Sequence, residues 1–331
     1  MALKLDACIA QHQGDRHEQQ DRIALVMHRQ ITGACMAVVA DGMGGHSGGV
    51  QASEQVVFSA SAAFQSWGIA NNPRDLMYGA LLEAHDMIRN SRHINEKDPH
   101  STVVLFMLLP DKRCFWSHCG DSRLYCFRGR KMLFRTRDHS YVEYLIHQGK
   151  ITPEEAETHP NRNILITSLG GKDKPRIEFG SLEKFKTQIQ SEDSFLLCSD
   201  GLWAYFSETE LGEIIADHAS AKEAIDRIIA LARERAEGEG DNLSAALLKF
   251  REEEQKSDYR AIMEARARSR RQKSSGADAS DHADATDEVD TAAPSKEAMS
   301  DRLLSGLQRG LSNLHENIQQ KLSNLHKKDR R

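Results

Sequence analysis

A layered α+β sandwich is the fold that the 331-residue sequence predicts, and three observations carry the prediction. Short apolar runs recur through the first 250 residues, several of them bounded by Gly, Pro or Asp, as strands are. Between them lie longer stretches whose apolar residues fall at helical spacing. Strands arrive in clusters and helices in clusters, which favours stacked layers over a parallel sheet built from βαβ units.

Taken in order, Ile23–Met27 and Ala34–Ala40 read as strands, followed by helices over Ser53–Trp67 and Asp75–Asn95. Val103–Leu109, Arg113–Cys119 and Leu124–Phe127 form a second group of strands, with Phe195–Cys198 after them. Helices over Glu208–Asp217 and Ala221–Ala236 precede a last strand, Ser244–Phe250. Past residue 250 the composition changes. Residues 251–300 are charged, then rich in Ala, Asp, Ser and Thr. They carry too little apolar surface to offset their ordering entropy, so a largely disordered linker is expected. Over 301–331, Leu303, Leu307, Leu311, Leu314, Ile318, Leu322 and Leu325 step by threes and fours along one face of an amphipathic helix. The segment Leu311–His315 recurs as Leu322–His326, a repeat close to three helical turns that keeps the stripe nearly straight. Alone in water such a helix is marginal, so it is expected to dock on a protein partner or to self-associate. Its few aromatics argue against a membrane surface.

Composition narrows the function classes. Hydrophobic residues make up 39% and charged residues 28%, with a formal net charge of -5, which gives no footing for bulk nucleic-acid binding. No apolar run nears the roughly 20 residues of a membrane span, and Met1–Asp6 has no secretory apolar region. Cytoplasmic residence is the expectation. The six cysteines include no Cys-x-x-Cys pair and sit in or beside apolar runs, which reads as reduced core thiols rather than a zinc site.

Three places share one pattern, an apolar strand followed by Asp beside Gly: Asp41-Gly42, Gly120-Asp121 and Asp200-Gly201. A fourth acid, Asp241, stands before Asn242 and the last strand. Strand tips hold carboxylates at fixed positions, and an adjacent Gly lets backbone and ligand approach closely. Each Asp-Gly alone reads equally as a turn. Converging, these carboxylates would repel one another, and divalent cations of the Mg²⁺ or Mn²⁺ type would relieve the repulsion.

The blocks Asp41-Gly42-Met43-Gly44-Gly45-His46, Gly120-Asp121-Ser122-Arg123-Leu124-Tyr125, Ser199-Asp200-Gly201-Leu202-Trp203 and Asp241-Asn242 resemble, in this order, the signatures of type-2C, metal-dependent protein serine/threonine phosphatases. The bacterial branch is the most similar, through Asp138-His139-Ser140, Gly149–Ala156, His159-Pro160 and Leu169-Gly170. The resemblance runs from about residue 6 to about residue 250. It implies a four-layer α-β-β-α sandwich with two antiparallel sheets. It implies Mn²⁺ or Mg²⁺, two ions and a third, with Asp41 bridging two of them and the Gly42 carbonyl on one. Asp200 and Asp241 would hold the other, Asp21 would act near the second through water, and Asp121 would join Asp200 at the third. Arg16 matches the arginine that grips the substrate phosphate. The implied reaction is hydrolysis of phosphoserine or phosphothreonine in proteins by a metal-bridging hydroxide, opposing a protein kinase. A scaffold that kept the fold without activity would need broken ligands, and Asp41, Asp200 and Asp241 are intact.

Two positions depart from the family pattern. Gln20 stands where an acid is common, so weaker divalent affinity at the second metal is expected. Met43 stands where eukaryotic relatives carry a His proposed as general acid, and His46 does not inherit that role. Residues Tyr141 to about Ile166 match the flap of bacterial members, a segment that gates access and shapes substrate choice.

Overall fold

The computed structural model describes residues 3–45, 47–95, 98–185 and 187–252. The expected linker and the C-terminal amphipathic helix lie outside the described residues, as does His46. All described residues belong to one compact unit, Met1–Gln255.

Two five-stranded antiparallel sheets form the centre. The first runs β1 (Leu3–His12), β12 (Leu243–Glu252), β11 (Asp193–Cys198), β8 (Arg123–Arg128) and β9 (Lys131–Arg135). The second runs β10 (Glu178–Ser181), β7 (Cys114–Cys119), β6 (Val103–Leu108), β3 (Cys35–Ala40) and β2 (Arg22–Met27). A small ladder pairs β4 (Gly42–Met43) with β5 (His100–Ser101). Helices α1 (Ser47–Ser66) and α2 (Pro73–Asn95) cover the second sheet. On the first sheet lie α5 (Asp200–Trp203), α6 (Glu208–Asp217) and α7 (Ala221–Arg235). Two short helices, α3 (Tyr141–His147) and α4 (Pro153–Glu157), stand in the connection from β9 to β10.

The unbroken apolar runs follow from this layering, because a strand buried on both faces has no polar side to alternate with. In β3, Cys35, Ala37 and Val39 face the opposite sheet, where, with Phe106 of the neighbouring β6, they meet Phe195, Leu197 and Leu248. Met36, Val38 and Ala40 face the other way, into a cluster with Val56, Phe64, Leu81 and Ile88 of α1 and α2. Likewise Tyr125, Phe127 and Leu247 pack against Leu211, Ile225 and Ile228 of α6 and α7. The α-β-β-α layers are thus present in the described unit.

Caps fix the helix starts. The Asn72 side chain accepts the Arg74 N–H at 2.9 Å, with Pro73 in the first helical position of α2. Ser220 and Glu223 form a reciprocal capping box on α7. Its first residue, Ala221, donates a further N–H to Asp6 of β1 at 2.8 Å. At the other end of α6, the buried Lys249 ammonium donates to the Ile215 and His218 carbonyls at 2.5 and 2.7 Å, satisfying groups that the helix leaves open.

Five strands go unread in the sequence: the two-residue β4 and β5, and the edge strands β1, β9 and β10. β1 carries Lys4 and Asp6, β10 has four residues, and β9 has only Met132-Leu133-Phe134 between Lys131 and Arg135, so none presents a long apolar run. The last strand also extends two residues past Phe250, to Glu252. Of the six cysteines, all free, Cys35, Cys114, Cys119, Cys126 and Cys198 are buried and Cys8 is half-buried.

Candidate metal centre

Register brings the predicted residues to one end of both sheets. Arg22 pairs with Ala40, so Asp21 before β2 and Asp41 after β3 are neighbours. Val103 pairs with Cys119, which sets Thr102 beside Gly120-Asp121. Arg123 pairs with Cys198, and Cys198 with Ala245, so Asp121, Asp200 and Asp241 emerge side by side from the first sheet. Gly42 follows Asp41 directly, and a Cβ on it would lie 2.0 Å from the Gly49 carbonyl oxygen, so only glycine fits there.

The electrostatics show how closely these groups meet. Burial drives the Asp41 carboxyl far above the usual carboxylate range, and the charges of Asp21, Asp200 and Asp121 push it further. Asp41 and Asp200 lie within hydrogen-bond reach of each other, a contact that two ionised carboxylates cannot make. Burial also raises Asp200, with Asp241 adding to the shift, and raises Asp121 with help from Asp200 and Asp138. Asp21 is only 1% exposed, and burial pushes it up to about 7 against the hydrogen bonds from Ser199 and Ser244. Arg16 approaches this group from solvent. Its guanidinium donates to Asp241 Oδ2 at 2.6 Å, which holds the arginine all the more firmly charged. All seven predicted residues therefore meet in one place.

A group of acids, Asp21 buried and the others half-buried, with one exposed arginine is short of positive charge. All the donors are hard oxygens, the set that suits Mg²⁺ or Mn²⁺ rather than softer ions. The residues present thus fit divalent cations. Among the described residues, one trio of candidate ligands brings its atoms within 4.8 Å of one another, and it lies elsewhere, at His118, His139 and Glu178. The aspartates are spread more widely than a single-ion cage.

Several further residues hold the site: Ser122, Ser199, Trp203 and Asn242 stand inside the signature blocks without a role read for them, and Thr102 stands outside every block. Thr102 accepts the Asp41 N–H at 3.1 Å through Oγ1 and donates its own N–H to the Asp41 carbonyl at 2.9 Å. The same Oγ1 lies 2.7 Å from Ser122 Oγ, next to Asp121. Ser199 Oγ donates to Asp21 Oδ2 at 2.7 Å. Asn242 binds the Arg16 loop: its Oδ1 accepts the Gln20 N–H at 2.7 Å, and its Nδ2 donates to the Gln13 and Glu18 carbonyls at 2.7 and 3.1 Å. Trp203 Nε1 donates to the Asp121 carbonyl at 2.9 Å. Ser122, Ser199 and Asn242 stand next to an Asp, but nothing in the sequence pairs these residues with partners up to 229 residues away.

The segment over Tyr141–Ile166 is a loop closed at its neck. Ser140 bridges Leu165, Tyr141 N–H donates to the Ile164 carbonyl at 2.8 Å, and Ile166 N–H donates to the His139 carbonyl at 2.9 Å. Tyr144, Ile164 and Ile166 are exposed on it.

Fold and site together define a metal-dependent hydrolase. The sequence profile of the family described as Protein phosphatase 2C matches residues 10–274. The protein phosphatase PhpP of Streptococcus pneumoniae is 31% identical over 241 residues, covering 72% of this chain and 94% of its own. The serine/threonine phosphatase of S. agalactiae has a solved structure that superposes with a TM-score of 0.68 at 25% identity, over 74% of this chain and 99% of that one. The catalytic domain of the serine/threonine phosphatase PstP, solved in complex with two manganese ions, shares the fold at 23% identity, with a TM-score of 0.62 over 76% of this chain and 100% of that one. The chain belongs to the protein phosphatase 2C family. It is a protein phosphatase, a hydrolase of a metal-dependent family.

Proposed function

We propose that the protein hydrolyses phosphoserine and phosphothreonine in other proteins, in the cytoplasm, opposing a protein kinase. The observation that carries this reading is the meeting of Asp21, Asp41, Asp121, Asp200 and Asp241 beside Arg16. Asp41 would contact two Mn²⁺ or Mg²⁺ ions, the Gly42 carbonyl one of them, and Asp200 and Asp241 the other. Asp21 would act through water, and Asp121 would join Asp200 at a third ion. Bound there, the ions would supply an acidified water for in-line attack on phosphorus and neutralise the charge that develops.

The remaining roles belong to the chain's own side chains. Arg16 presents a planar fork to the phosphate and is 61% exposed, so it can turn from Asp241 to an incoming phosphoryl group. Thr102 and Ser199 fix Asp41 and Asp21 by hydrogen bonds that need no rearrangement during turnover. Met43, at the position where some relatives carry His, cannot donate a proton to the leaving serine or threonine oxygen. The flap borders the site and would select among protein substrates. The C-terminal stripe over 301–331 would dock on a partner or on a second copy.

Mn²⁺-dependent release of phosphate from a phosphothreonine peptide tests the reading, with Asp200→Asn measured alongside. A loss of about 10³-fold or more is expected. Activity that survives Asp200→Asn would sink the assignment.

A further inference from the structure

His118, His139 and Glu178 bring three ligand atoms within 4.8 Å of one another, and both histidines are only 3% exposed. Such a trio invites a metal ion, but the hydrogen bonds argue against one. His118 Nε2 lies 2.8 Å from the Arg137 carbonyl, which can only accept, so that nitrogen carries the proton and Nδ1 is bare. His139 Nδ1 faces the Gly120 N–H at 3.2 Å, which can only donate, so there Nδ1 is bare and the ring proton sits on Nε2. That proton occupies the position a metal would need, on the nitrogen 3.4 Å from Glu178 Oε1. The two rings lie 4.7 Å apart at 21°. Burial, aided by the neighbouring His139, pushes His118 down to about 4 and so keeps it neutral, and the nearby His139 holds Glu178 at about 2. The trio is a brace, with the His139 ring held between the Glu178 carboxylate and the stacked His118 ring.

The brace acts on one residue, Gly120. His139 accepts its N–H through Nδ1 and donates its own backbone N–H to its carbonyl at 2.9 Å, so both polar groups of Gly120 are held by His139. Gly120 has no slack to drift, since its φ is +103° and a Cβ would fall 2.7 Å from the Thr102 side chain. The next residue is Asp121, whose carbonyl is held from the other side by Trp203. Trp203 in turn lies under the Arg123 guanidinium, 3.4 Å from the ring centroid, and Asp138 grips Arg123 with two bonds of 2.8 and 2.6 Å.

We propose that His139 is the positioning residue of the Asp121 carboxylate, acting through Gly120, and that His118 and Glu178 keep its ring in the one tautomer that can do so. This rests on the reading of Asp121 as a metal ligand. Loss of the Gly120 contact leaves the other ligands in place but lets Asp121 wander, which weakens the hold on its ion.

Two substitutions of the full chain separate the contacts. In His139→Asn an amide oxygen can take the place of Nδ1 and still accept from Gly120. In His139→Gln the amide reaches the Nε2 position and the Gly120 acceptor is lost. Amide hydrogen exchange at Gly120 in the metal-free protein should rise about tenfold or more in His139→Gln and stay near wild type in His139→Asn. The Mn²⁺ concentration for half-maximal activity should rise about fivefold or more in His139→Gln, with kcat recovered at saturation, and move less than about twofold in His139→Asn. Wild-type exchange and wild-type Mn²⁺ dependence in His139→Gln would overturn the proposal. If His139→Gln does not fold, the imidazole ¹⁵N shifts of wild type decide, and a protonated Nδ1 on His139 overturns it. Stoichiometric Zn²⁺ binding abolished by Glu178→Gln would overturn it in favour of a metal site. Asp121→Asn is the separate control: if it leaves Mn²⁺ binding unchanged, the role of Asp121 fails, while exchange at Gly120 still tests His139.

Discussion

The Asn242 side chain directs both ends of its amide to the loop that carries Arg16, through three hydrogen bonds to Gln13, Glu18 and Gln20. Replacing Asn242 with Ala leaves a half-buried N–H and two carbonyls unpaired, at a cost of about 2–4 kcal/mol. Urea denaturation should show the loss, and steady-state kinetics should show a KM raised more than kcat is lowered, because Arg16 loses its mount. Gln20→Glu places an acid where family members commonly carry one, and the Mn²⁺ concentration at half-maximal activity is expected to fall severalfold; an unchanged value would remove any role for that position. At this scale Asp41, Asp121, Asp200 and Asp241 were legible because each stands at a strand tip beside Gly or Asn, whereas Asp21, between Gln20 and Arg22, came from the family resemblance. Asn242 itself was legible only as the second half of a dipeptide. His139 stood in plain view in Asp138-His139-Ser140, but its partner Gly120 is 19 residues away, and nothing in a single sequence pairs them.

Strands with two buried faces announced themselves, and the helices of period 3.6 did so too, with bounds close to those read. The strands β1, β9 and β10 went unread at sheet edges, where charges interrupt the apolar pattern, and the two-residue β4 and β5 and the short α3, α4 and α5 are too brief to show a period. Among the helices, α3 shows how small elements depend on a single cap. Ser140 Oγ accepts the Glu143 N–H at 3.3 Å, and Gly149, with a φ of +66°, follows its C-terminal end. Ser140→Ala should cost about 1 kcal/mol locally. Amide exchange over residues 141–148 should quicken while the melting temperature of the whole domain barely moves. If the flap selects protein substrates, KM for a phosphoprotein should rise in this variant while that for p-nitrophenyl phosphate holds.

Across the folded unit, two sets of groups pull the pH dependence in opposite directions. The raised carboxyls, with Asp21 at about 7, weaken the metal-free fold at alkaline pH, and the penalty fades as pH falls and they take up protons. A bound divalent cation removes the same penalty without protons. Chelation by EDTA should therefore lower the melting temperature most near pH 8, and the gap should close towards pH 6. His118, pushed down to about 4, works the other way: its stabilising effect is complete above pH 6.5 and is lost as pH falls to about 4, a change on the order of 3 kcal/mol. Glu178, held at about 2, adds loss in the same direction below pH 4.5. Melting curves from pH 3 to 8, with and without Mn²⁺, resolve the two.

The pairing of β1 with β12 joins Leu3 to Glu252. On the ribosome, the first strand must wait for the last before it gains its partner. At about 5–20 residues per second that delay is roughly ten to fifty seconds. Asp21 and Asp241 are separated by nearly the same stretch of chain, so the acids come together only when the first sheet closes. Emergence of activity during synthesis is thus tied to completion of the domain, and a nascent or prematurely terminated chain that lacks β12 has no assembled centre with which to strip phosphate from its neighbours.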